Sequence, residues 1–164
     1  MSQSDVIGTL SLEQARARFA ELRAQSGIVD DVDLDAVWAA LPTVRCEDLL
    51  GRWRGGEFTT GHKANGLLAK VGWYGKTFIS RSEVQPLVCR NAEGELYSNR
   101  ELGKGEASLW MVEFRGEVTA SMVYDGQPVI DHFKRVDDTT VMGIMNGAGG
   151  VVDGRHLYFY LDRD

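Results

Sequence analysis

The sequence predicts a mainly-β protein: a closed antiparallel up-and-down barrel with N-terminal helices packed on it or capping it. Three observations lead there. The apolar period changes from 3.6 to 2 at Trp53, which divides the chain into a helical extension (1–50) and a strand-rich domain (51–164). The second part is a series of short alternating runs, each bounded by a turn signal. A meander of roughly eight to ten strands has two unpaired edges, and closing it into a barrel removes them.

Each element follows from local chemistry. Residues 1–10 read as a loose end. Ser11 and Gln14 form a capping box, and Leu12, Ala15, Phe19 and Leu22 make one apolar stripe ended by Gly27. Asp33 is the expected cap of a second helix carrying Leu34, Val37, Trp38 and Leu41, stopped by Pro42. Residues 46–50 read as one more turn before Gly51. Strands are expected at 52–58, 76–80, 83–89, 95–99, 107–114, 117–124, 129–136, 140–145 and 157–161, with a short helix at 65–70. Several strands carry apolar groups on both faces. Helices over the outside account for that, and so does an apolar cavity inside.

Composition narrows the function. The chain has 164 residues and a net charge of −6, a poor match to phosphate backbones, so no nucleic-acid partner is expected. No apolar run is long enough for a membrane helix, and the N-terminus lacks a secretory pattern. Two cysteines, Cys46 and Cys89, make neither a disulfide framework nor a metal knuckle, which points to the cytoplasm. The first helix is a candidate dimer surface or lid. No motif for a nucleotide, metal or catalytic serine is present, so no cofactor is expected.

The candidate proton-transfer groups are Asp131, Glu113 and His132. Asp131 and His132 fall on opposite faces of one strand, in the densest polar cluster among hydrophobics. A carboxylate or imidazole inside an apolar barrel has a shifted pKa and can move protons without a cofactor. The alternative is that Asp131 bonds a turn and His132 faces water. Glu113 shares a row with Leu109 and Met111; that row faces either the cavity or solvent near the hairpin end. His62 either edges a cavity mouth or is solvated. The candidate ligand-binding side chains are Trp53, Phe58, Trp73, Trp110, Met111, Met122, Tyr124, Phe133, Met142 and Tyr158. Residues 146–154 are glycine-rich without the ending of a phosphate cradle, and suit a loop at a barrel mouth.

Gly51-Arg52-Trp53-Arg54-Gly55 sets an indole between glycines, as a barrel plug requires. These residues resemble the name-giving motif of the GXWXG family. The resemblance continues through Trp73-Tyr74-Gly75-Lys76, Leu96-Tyr97-Ser98-Asn99 and Glu113-Phe114-Arg115-Gly116. The second half, with Ile130-Asp131-His132-Phe133-Lys134 and Tyr158-Phe159-Tyr160-Leu161, is similar to the domain of unknown function that follows that motif. Asn146 departs from the family's usual Asp. The G-x-W is also similar to lipocalins, fatty-acid-binding proteins and nitrobindin-like haem barrels. That likeness implies a calycin-like barrel holding an apolar ligand.

Three functions are compatible with these residues. The first is binding of a small hydrophobic molecule, such as a fatty acid or a phospholipid-like chain. The second is a cofactor-free lyase, hydratase or isomerase acting on an apolar or aromatic molecule. The third is haem binding.

Overall fold

A computed structural model describes residues 9–164. The expected loose end therefore lies almost wholly outside the described residues. Helix α1 (Leu12–Ala24) opens with the complete Ser11–Gln14 capping box. Helix α2 (Asp31–Ala40) starts earlier than the sequence suggests, because Asp30 and not Asp33 accepts the free Val32 N–H at 2.9 Å. Asp33 lies inside the first turn, where its charge still favours the helix dipole. A 3₁₀ turn (Cys46–Leu49) leads into the barrel.

The strands are β1 (Gly51–Glu57), β2 (Trp73–Ser80), β3 (Glu83–Arg90), β4 (Leu96–Ser98), β5 (Ala107–Phe114), β6 (Glu117–Tyr124), β7 (Ile130–Asp137), β8 (Thr140–Asn146) and β9 (Leu157–Arg163). Two short helices interrupt them, α3 (Leu67–Lys70) and α4 (Arg100–Gly103). The sequence signals missed α4; Asn99 caps it by accepting the Leu102 N–H. Eight strands close an antiparallel ring in the order β1-β2-β3-β5-β6-β7-β8-β9 and back to β1. The β3–β5 seam is thin, one registered pair between Val84 and Ala107. Strand β4 lies outside the ring, on the far half of β3.

Strands β6 and β7 pair only over Ser121–Val123, then diverge. Residues 42–44 enter that gap. The Pro42 carbonyl accepts from Arg135, the Val44 carbonyl accepts from Ala120, and Thr119 Oγ1 bridges Val44 N–H and the Phe133 carbonyl. The chain thereby passes from the outer face to the barrel end, where Val44, Cys46 and Leu49 join the interior core.

The barrel's inner and outer faces have separate cores. Trp53, Phe78, Met122, Phe133 and Leu161 fill one end of the interior. Phe133 meets Phe78 and Phe159 edge-to-face at 5.9 and 5.8 Å. Outside, α1 and α2 cover Phe58, Val136, Met142, Ile144 and Tyr158. Strands β7 to β9 are therefore buried on both faces, which explains their doubly apolar pattern. The apolar side of α1 (Ala15, Phe19, Leu22) is spent on this contact. Each large side chain so buried contributes roughly 1.5–3 kcal/mol.

Candidate functional site

The barrel is filled at one end and hollow at the other. The hollow measures about 480 Å³. Trp73, Leu87, Val129, Met145, Leu157 and Phe159 form its walls. Helix α3 lies over the mouth with Leu67 and Leu68, followed by Val71 just past its end and joined by Leu102 of α4 and Gly149 of the glycine-rich loop. Leu67 and Leu102 are exposed there, so the rim itself is apolar.

The hollow has a polar floor. Lys76 on β2 and Asp131 on β7 point inward, each with 3% of its side chain exposed, and Lys76 Nζ lies 3.2 Å from Asp131 Oδ2. Lys76 also donates to the Pro86 carbonyl at 3.1 Å. The rings of Phe159, Trp73 and Tyr124 surround the ammonium at 5.3, 5.6 and 5.7 Å. Asp131 Oδ1 has no protein hydrogen-bond partner, and neither has the Trp73 indole N–H. Burial pushes the Asp131 carboxyl up and the Lys76 amine down, each partly opposed by the other's charge. Burial, with the Asp131 charge beside it, raises the Tyr124 phenol well above its ordinary value. Both members of the pair are thus drawn toward their neutral forms.

Two family models and a solved structure match the chain. A family model described as "GXWXG protein" matches residues 36–94, and one described as "Domain of unknown function (DUF4334)" matches residues 105–163. A crystal structure of a protein from Thermomonospora curvata is similar to the chain at 41% identity and a TM-score of 0.82. The match covers 92% of this chain and 98% of that one. The chain belongs to the GXWXG family. No curated protein matches it.

The motif that names the GXWXG family shapes both barrel ends. Gly51 has a positive φ of 122°, and beside it the Arg163 guanidinium lies 4.3 Å over the Trp53 ring and donates to the Asp48 and Leu50 carbonyls. Trp53 donates its indole N–H to the Leu49 carbonyl at 2.7 Å, so the indole seals the filled end. Gly55 does something different. A methyl group there overlaps the Trp73 ring, so only glycine lets Trp73 lie flat as a cavity wall.

Nine of the expected site residues fall into three groups. Asp131, Trp73 and Tyr124 come together around the hollow. Trp53, Met122 and Phe133 face inward but belong to the filled core. Phe58, Met142 and Tyr158 lie outside the barrel beneath the helices, and Tyr158 donates to Asp35 at 2.6 Å.

Trp110, Met111 and Glu113 do not reach the cavity. Trp110 pairs with Ser121, which pairs with His132, so it stands on the outer face of the barrel wall; Met111 and Glu113 share the inward row of Leu109, but the β5–β6 hairpin outruns the barrel and they emerge into solvent. Trp110 and Met111 are 57% and 41% exposed. Glu113 accepts the Gly116 N–H of its own turn.

His132 is also outside, stacked on Phe114 at 4.0 Å. The Asn146 amide donates to Nε2, so Nδ1 carries the proton and donates to Ser121 Oγ at 2.7 Å, which donates to the Thr119 carbonyl. Burial, then the nearby His156 and the Arg115 guanidinium, lower its pKa to about 4. It is a neutral, satisfied core histidine.

His62 is buried rather than solvated, and accepts the Ala64 N–H. No histidine lines the hollow, so its residues do not fit a haem held by an axial imidazole. Among the described residues no cluster is suited to a metal ion. Burial raises the pKa of both thiols, which fits their lack of nucleophile context.

Sequence reasoning missed Lys76, Leu87 and Phe159 as site residues. One signal for Lys76 existed: in an alternating strand it shares a row with Phe78. No helix among the described residues is long and apolar enough to cross a membrane.

Proposed function

We propose that the protein binds one small, mostly hydrophobic molecule inside the barrel. The observation that carries this reading is the apolar hollow of about 480 Å³ beside a fully packed half-barrel. Close-packed interiors hold few voids larger than a water molecule. This one has room for roughly sixteen water volumes, within the range of about 300–1,000 Å³ common for small-molecule sites. The apolar rim of Leu67 and Leu102 supports an apolar guest. A single acyl chain or compact ring system suits the volume. The unpaired, buried thiols suit a reducing compartment such as the cytoplasm.

The neutral fluorophore N-phenyl-1-naphthylamine tests this. Its emission rises on mixing with the protein and does not rise with Leu87→Trp, whose indole fills the hollow. Equal emission from both proteins, or none from either, overturns the reading.

A second reading has one observation behind it. The carboxylate at the floor of the hollow is drawn toward its neutral form, as a proton-transfer group requires. Asp131 then serves a cofactor-free lyase, hydratase or isomerase as acid or base. Asp131→Asn abolishes turnover of an apolar substrate while the folded variant still takes up the dye; retained turnover excludes the role.

A further inference from the structure

The charges and hydrogen bonds at the cavity floor restrict the guest. Lys76 is already matched by one carboxylate, one carbonyl and three aromatic rings. The floor therefore has no uncompensated positive charge to receive an anion. What it does offer is Asp131 Oδ1, a buried acceptor on the cavity lining with no protein partner. An acceptor without a donor is costly in a low-dielectric site, and a guest that supplies the donor removes that cost. A second carboxylate placed there faces Asp131 and is repelled, or must take up a proton. The other cation on the lining, Lys70, is exposed on α3 at the mouth. It can hold an anionic head only outside the floor, which leaves Oδ1 unmatched.

We infer that this cavity selects a neutral amphiphile whose buried end carries a hydrogen-bond donor, a hydroxyl or an N–H group, in preference to a fatty-acid anion. The inference rests on the binding function proposed above and names the guest's head group. The donor meets Asp131 Oδ1, and the apolar body meets Trp73, Leu87, Met145 and Phe159. A hydroxyl adds an acceptor, which the unpartnered Trp73 indole N–H on the same lining can use.

The test compares four probes of similar length on the whole protein at neutral pH: decan-1-ol, decane, decyl methyl ether and decanoate. Displacement of N-phenyl-1-naphthylamine reads the affinity. Decan-1-ol binds about tenfold or more tighter than the other three, the scale of one buried hydrogen bond. Asp131→Asn leaves the Lys76 charge uncompensated and shifts the preference toward decanoate. Lys76→Met/Asp131→Leu makes the floor apolar, so decane then binds as well as the alcohol; this variant keeps the test valid if the single change fails to fold.

Decane or the ether binding as tightly as the alcohol to the native protein overturns the inference, because Oδ1 then contributes nothing. Decanoate binding equally overturns it too, with the head left at the mouth beside Lys70. In either case the binding function itself stands. Binding of none of the four, with no dye emission, removes both.

Discussion

Asp131 and His132 are adjacent in the chain and lie on opposite faces of β7. Both are almost fully buried. His132 sits under the N-terminal helices with each ring nitrogen hydrogen-bonded and a phenyl ring stacked on it. Asp131 faces the hollow with one oxygen matched and the other not. The two buried lysines repeat the contrast. Lys134, outside the barrel, donates to the Trp38 carbonyl at 3.0 Å and pairs with the half-exposed Glu117. Lys76, inside, balances Asp131 in an otherwise apolar space. Burial alone therefore does not mark a site. A buried polar group with every partner present belongs to the fold, and one left partly unmatched beside a void is available to a guest.

The largest test of that contrast is Lys76→Met. It strands a carboxylate inside the barrel and costs about 3–5 kcal/mol, read by urea denaturation; adding Asp131→Leu recovers most of the loss. Failure of the double variant to recover makes the pair structural and erases the difference between the two faces. Gly55→Ala comes next. Its methyl group pushes Trp73 into the hollow, costs about 1–3 kcal/mol and weakens dye binding. Lys134→Met on the outer face costs less, about 0.5–1.5 kcal/mol for the lost hydrogen bond, since Glu117 can turn to water, and leaves dye binding unchanged.

The pH dependence is smaller and isolates the outer face. His132 stays neutral in the folded state down to about pH 4, whereas the unfolded chain protonates it near its ordinary 6.5. Between those values the unfolded state holds the extra proton, so stability falls as pH drops from 6.5 toward 4. His132→Gln makes that decline shallower in a series of melting curves. Smallest of all, Trp110→Ala on the outer face of β5 and Glu113→Gln near the hairpin tip shift stability within about 0.5 kcal/mol and leave dye affinity unchanged. A loss of binding in either variant shows that the tip reaches the mouth.

Much of the architecture was legible because it depends on near neighbours. The Ser11–Gln14 box, the stop at Pro42 and the alternation after Trp53 each reflect contacts within a few residues, and each appears as an element. The site was legible only in part. Asp131, Trp73 and Tyr124 were among the expected residues and do meet, but Trp110, Met111 and Glu113 sit in an equally apolar strand and point to water. Alternation shows which residues share a face without showing how far a neighbouring strand follows. The β5–β6 hairpin continues past the place where β7 stops pairing with β6, and that decides the fate of its tip.

Periodicity, turn residues and the need to pair open edges determined, from the sequence by itself, that this chain forms helices followed by a closed meander. Those are short-range constraints and a single topological demand. Only the tertiary structure decided which half of the barrel is solid and which is hollow. It also decided that Lys76, fifty-five positions from Asp131, is the group beside it. Packing volume and charge pairing are sums over residues distant in sequence, and they acquire values only when the ring closes.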